Sequence, residues 1–208
     1  LLQEGIAHSE NKNLIANVDV HQIKPSARRG FGVLETDWKS IEYEIDTPLN
    51  PSILSDELLR GIEILPFQSS LLPEIFEYDF SLGGYERRSI IEASCYEENC
   101  KTLVAMKDGK CIGFGSIKLD NVEYGRVAPL YADDSSVAEA MVKRLITAVP
   151  EAKGFAIVTV NTNIFAGMLP EKFNIPVYNS YYRFYTKEKL PIHTKRVFAH
   201  LDIEFTLF

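Results

Sequence analysis

The stretch "RVAPLYADDSSVAEAMVKRL", Arg126 to Leu145, reads as a strand that passes through a short polar turn into a helix. Val137, Met141, Leu145 and Ala148 fall down one side of that helix, the spacing of a face packed on a core. Strand-to-helix turns often hold phosphate, because orphan N–H groups and the positive end of the helix dipole point at the ligand. Here the turn carries Asp133 and Asp134, where an anion site favours glycine and positive charge.

Working outward, "VEYGRVAPLYA" is the strand and "GFAIVTVN" downstream is a nearly continuous apolar run suited to a buried central strand. "TNIFAGMLPEKF" is a short helix, and "SYYRFYTKE" and "RVFAHLDIEFTLF" close the chain as strands. Upstream, "TLVAMKDGKCIGFGSIKLD" is a hairpin turning at Asp108-Gly109. Before it, "SSLLPEIFEYDFSLGGYERRSIIEASCYEEN" is helical with a break at Gly83-Gly84, and "GIEILPF" is a first strand. The order β-α-β-β-β-α-β-α-β-β predicts an α/β (α+β) fold, a mixed and mostly antiparallel sheet flanked by helices.

The first 46 residues give the end of a helix (Leu1 to Ser9), the strand "NLIANVDV", a helical "HQIKPSARRGF" and the alternating strand "SIEYEID". So few elements cannot bury a core alone. Their order repeats the tail of the second segment, which points to an internal duplication. "DTPLNPSILSDE" is rich in turn formers, so the expected layout is a first unit at 1–46, a linker at 47–60 and a second unit at 61–208. The chain opens on "LLQEGIAHSE", helix already under way, and the expectation is that the protein extends upstream.

The 208 residues are 46% hydrophobic and 25% charged, enough apolar content for a real core. A net charge of −7 without a dense basic cluster argues against nucleic acid or an anionic membrane as partner. No apolar run approaches the roughly 20 residues that span a bilayer. Cys95, Cys100 and Cys111 form no even framework and read as free thiols, which places the expected home in the cytoplasm. His8, His21, His193 and His200 never fall at metal-ligand spacing, so no metal is expected.

"LPEIFEYDFSLGGYERRSII", "RVAPLYADDSSVAEAMV" and "RFYTKEKLPIHTKRVFAHLDIEF" resemble the GNAT acyltransferase superfamily, in particular two-domain members whose second domain is divergent. Residues 1–46 resemble the back half of an ordinary first GNAT domain, with "KPSARRGFG" similar to its short helix and Gly-Phe pair. The resemblance implies an acyl-CoA-dependent N-acyltransferase that moves an acetyl group from acetyl-CoA to a small-molecule amine by direct attack. It implies acyl-CoA bound between splayed fourth and fifth strands, "VEYGRVAP" and "GFAIVTVN". Backbone at Val127 and Ala128 would then meet pantetheine, Ser135 and Ser136 would open the helix at the pyrophosphate, and Asn161 would end strand five. The family's Arg/Gln-x-x-Gly-x-Gly/Ala loop is replaced here by "YADDSSVAEA".

Each candidate has a plainer alternative. A carboxylate about 4 Å from a phosphate charge costs about 4 kcal/mol at an effective dielectric of 20. Helix-dipole attraction returns about 0.3–2 kcal/mol, so the aspartates are better read as an N-cap than as a phosphate cradle. Glu123 stands where some family members place a general base, or is a surface glutamate on strand four. Tyr182, among Tyr178, Tyr181 and Tyr185, is the candidate proton donor to the leaving thiolate, or an ordinary strand aromatic. Lys24, Arg28 and Arg29 line a helix face that is either ligand-binding or simply solvated. "LGGYERR" is either a substrate loop or a break between helices. The alternative class is a GNAT-like binding or interaction module without catalysis, and the unpaired edges of an incomplete first unit leave homo-oligomer formation open.

Overall fold

A computed structural model describes residue 9 and residues 12–201 of the chain. The helix read over Leu1 to Ser9 and the closing strand beyond Leu201 lie outside the described residues, Ser9 excepted. Among the described residues ten strands join one sheet: β1 (Ile15–Val18), β2 (Val33–Leu34), β3 (Ser40–Ile45), β4 (Ile62–Pro66), β5 (Cys100–Lys107), β6 (Lys110–Leu119), β7 (Tyr124–Ala132), β8 (Gly154–Val160), β9 (Val177–Tyr185) and β10 (Val197–Ala199). Five α-helices accompany them among the described residues: α1 (Ile23–Arg28), α2 (Leu72–Gly83), α3 (Arg88–Cys95), α4 (Ser135–Thr147) and α5 (Ile164–Lys172). The sheet runs β1-β9-β3-β8-β7-β6-β5-β4, with β2 also on β9 and β10 on β7. It is antiparallel except where β7 lies parallel to β8, the mixed sheet the element order predicts.

Local chemistry accounts for the elements. Asp108 and Gly109 both hold positive φ, 50° and 76°, which fits the two-residue turn that matches strand twist in the β5–β6 hairpin. Helix α2 buries Ile75, Tyr78, Asp79 and Leu82, one face at helical spacing, and ends where Gly84 takes φ 77° and donates to Phe80 O at 2.7 Å. All seven residues of β8 are buried, as a central strand requires. Adjacent residues on the strands feed opposite cores. Val104, Phe114 and Tyr131 pack with α2 and α3, while Ala105, Ile117 and Leu130 pack with α4 and α5.

Strand β3, from the first 46 residues, lies between β8 and β9, with Ser40 opposite both Val160 and Tyr181. The stretch read as a linker is packed. Pro51–Ile53 form a turn of 3₁₀ helix, Leu54 is buried, and Ser55 N donates to Glu139 Oε1 on α4 at 2.8 Å.

Candidate functional site

The site is built where β7 and β8 part. They pair from Tyr124↔Gly154 to Val127↔Ile157 and no further, although β7 continues to Ala132 and β8 to Val160. The cause is a bulge. On the other side of β7, Gly115 faces Leu130 but Ile117 faces Val127, so Ser116 is opposed by both Ala128 and Pro129. An extra residue on one strand bends it and raises its twist, turning the end of β7 away from β8. Glycines on β6 permit the close approach: a Cβ on Gly113 would stand 2.7 Å from Tyr131 O.

The V between the strands is filled by the chain itself. Strand β10 enters it antiparallel to β7, with Val197 opposite Tyr131 and Ala199 opposite Leu130. On the other side His200 N donates to Val158 O at 2.9 Å. Val197, Phe198, Ala199, His200 and Leu201 are all buried, and Val197 and Phe198 join the cores on opposite faces. Residues 194–201 thus form a strap that completes the sheet where the strands separate.

The mouth of the V is laced to this strap. Arg196 Nε donates to Asp133 Oδ1 at 2.7 Å, its Nη1 donates to Ser81 Oγ at 2.9 Å, and its guanidinium lies 4.4 Å from the centre of the Tyr78 ring. Tyr78 Oη also donates to Asp133 Oδ1 at 3.2 Å, and burial pushes that phenol well above its ordinary value. Asn163 Nδ2 donates to Lys195 O and to Val197 O, both at 3.0 Å, while Asn163 Oδ1 caps α5. Thr162 and Thr194 hydroxyls meet at 2.9 Å. Inside the V, His200 Nε2 is 3.1 Å from Ser40 Oγ, and desolvation, aided by the Arg183 and Arg87 charges, holds the imidazole well below its ordinary pKa.

The sequence candidates fall as follows. Val127 is the last residue of the parallel register and Ala128 opens the V, both buried. Asp134 is the N-cap of α4, accepting from Ser136 N at 2.7 Å and Ser136 Oγ at 2.6 Å; those bonds lower its carboxyl pKa. Ser135 and Ser136 open the helix as expected, with Ser136 committed to this cap. Asn161 follows β8 but faces β3, where its Oδ1 accepts from Lys39 N at 2.7 Å. Glu123 is a correction: it precedes β7 in a turn with φ 63° and ion-pairs with Lys153. It therefore sits at the paired end of β7, before the first residue of the parallel register and away from the V. Tyr182 lies on β9 opposite Val18, with β3 between it and β8, and its ring stacks near Lys39 Nζ at 5.8 Å.

The structure therefore gathers Val127, Ala128, Ser135 and Ser136 around one opening and leaves Glu123 and Tyr182 outside it. It adds Asn163, Arg196 and His200. Asn163 was discoverable as a helix cap before "IFAG"; the other two gain their roles only from where the strap lands. A second polar cluster backs the site: Asp79 pairs with Arg87, Nη2 to Oδ1 at 2.6 Å, and Arg87 reaches Tyr131 Oη at 3.3 Å. Lys24 and Arg28 on α1 and Arg29 at its C-cap are exposed. Burial pushes the Cys95 and Cys111 thiols up to about 12. Among the described residues no helix is long and apolar enough to cross a membrane.

A mixed sheet whose central parallel pair parts over a bulge, with a helix starting at the opening, defines an acyltransferase-type fold. Residues 75–199 match the model of the acetyltransferase (GNAT) domain, and the chain belongs to that family. No curated protein matches the sequence. Among solved structures, a Pyrococcus horikoshii protein put forward as an acetyltransferase superposes with a TM-score of 0.69 at 16% identity, over 97% of this chain and 62% of its own. A GCN5-related N-acetyltransferase from Sphaerobacter thermophilus gives 0.56 at 12% identity, over 88% of this chain and 62% of its own. A tandem GNAT protein from the clavulanic acid biosynthesis pathway gives 0.56 at 12% identity, over 90% and 68%. At such identities the likeness is one of fold. The chain spans about three fifths of the length of the first of these structures.

The family implies acetyl-CoA, and the residues at this opening do not fit it. The pantetheine position between the strands is taken by Val197–His200, hydrogen-bonded on both sides. Pro129, at the bulge, has no N–H to offer. The helix terminus that would meet pyrophosphate is capped by its own Asp134, and the neighbouring carboxylate, Asp133, is bound to Arg196. A pyrophosphate there would confront two carboxylates and no glycine loop.

Proposed function

We propose that this chain is part of an acetyl-CoA-dependent N-acyltransferase acting on a small-molecule amine, and that residues 61–201 form a unit of it that does not hold the acyl donor. The family and the parted strands support acyl transfer. The strap in the V is the observation that carries the second clause: an extended donor arm and an extended peptide cannot occupy the same slot. The tandem arrangement of the clavulanic acid pathway protein supports a two-unit reading, in which the donor sits on the other unit and this one shapes the acceptor side.

A calorimetric titration of the chain with acetyl-CoA tests the reading, and no binding up to millimolar donor is expected. Micromolar binding would refute it. The strap equally favours a second reading, a GNAT-fold interaction module without catalysis anywhere in the protein. Thiol release from acetyl-CoA over a panel of amines separates the two when the full-length protein is assayed: turnover favours the enzyme, silence the module.

A further inference from the structure

We infer that the β7–β8 opening is a strand-binding slot for an extended peptide, with a recognition code set by side chains of this chain. The inference rests on the reading that this unit does not hold the acyl donor, and it names what the slot takes instead. The strap is more than a strand completing a sheet, because four contacts read particular residues. Arg196 is clamped by Asp133, Ser81 and the Tyr78 ring. Phe198 enters the core beneath α4 and α5, and Val197 the core beneath α2. Ala199 lies fully buried opposite Leu130, where a small side chain packs into the core. Backbone pairing to Leu130, Tyr131 and Val158 supplies sequence-independent affinity, and Asn163 holds the strap's own carbonyls.

The preferred occupant is therefore an extended segment reading basic, aliphatic, aromatic, small: Arg-Val-Phe-Ala in this chain. A depression of about 480 Å³ at the mouth, reaching Asp133, Thr162, Phe165 and Phe198, leaves the strap's N-terminal side open to solvent. Held in cis, the strap has an effective concentration of about millimolar, so a free peptide cannot compete until the tether is cut.

The test uses the whole chain with a protease site inserted between Leu190 and Pro191, upstream of every strap contact. After cleavage, residues 191–208 are expected to remain bound through gel filtration. They should exchange with a fluorescent synthetic peptide of the same sequence, followed by anisotropy. A peptide carrying Arg196→Glu should bind at least about tenfold more weakly, since it loses a charged hydrogen-bond pair and meets Asp133. Millimolar acetyl-CoA should change neither signal. If acetyl-CoA displaces the peptide, the slot is a donor site, and both this inference and the donor-free reading fall. If cleaved chain stays folded but loses the fragment, or binds both peptides equally, the slot fails while the donor-free reading stands. Should cleavage unfold the chain, hydrogen exchange on the intact Arg196→Glu protein decides. Faster exchange confined to residues 194–201 and their partners supports a separable occupant, and a uniform rise across the sheet overturns it.

Discussion

Protonating His200 should weaken this fold by a predictable amount. The side chain is 1% exposed, and its Nε2 meets Ser40 Oγ at 3.1 Å. Its Nδ1 has no hydrogen-bond partner among the described residues. A charged imidazole needs acceptors at both nitrogens, must be desolvated, and faces the like charges of Arg183 and Arg87, so its folded pKa lies well below the ordinary 6.5. The unfolded chain therefore binds a proton that the folded chain refuses in the window just below pH 6.5. Stability is flat with respect to this group above that pH and falls as the solution is acidified through it. Each pH unit between the two pKa values is worth about 1.4 kcal/mol, so acidification to pH 5 costs at most about 2 kcal/mol. Urea unfolding of the wild type and His200→Gln between pH 7.5 and pH 5 isolates the effect, because other groups titrate alike in both. The stability difference should shift in favour of the glutamine variant, by at most about 2 kcal/mol. A difference that stays constant across the range would show that the ring is not held neutral in the V.

Three further substitutions probe the supports of the site. Asp134→Ala removes the cap of α4 and should cost about 1 kcal/mol in chemical denaturation while leaving the Arg196–Asp133 contact in place. Asp79→Ala removes the carboxylate that neutralises the buried Arg87 guanidinium and should cost about 3–5 kcal/mol, visible as a large fall in Tm. Gly154→Ala puts a Cβ 2.3 Å from Tyr124 Cε2 and 2.7 Å from Ile45 O at the closed end of the V. A loss of about 1–3 kcal/mol is expected, and a stability equal to wild type would contradict the packing described there.

Several elements were legible because their signals are local. Asp108-Gly109 announces its hairpin through the turn's demand for positive φ, and "GFAIVTVN" announces a central strand through unbroken burial. The run "ADDSS" declares a helix cap, since carboxylates at a helix start satisfy its orphan N–H groups, and Asp134 does this. Glu123 misled because a residue next to a strand inherits the strand's reading until its own φ is known; at 63° it belongs to the turn. Asn161 had the right place in the chain but the wrong neighbour, because which flank of β8 it faces depends on β3 being there.

The amino-acid order by itself determined the elements, their succession and the family, because helix faces, caps and turns are written in residues a few positions apart. Only the tertiary structure decided that a segment about 65 residues downstream of β7 fills the V that β7 opens. Strap and slot are both ordinary apolar strand sequence. Neither shows in isolation which edge it will pair with, since backbone hydrogen bonding carries no address and the choice rests on side chains that meet only in the fold, Arg196 with Asp133 and Val197 and Phe198 with the two cores.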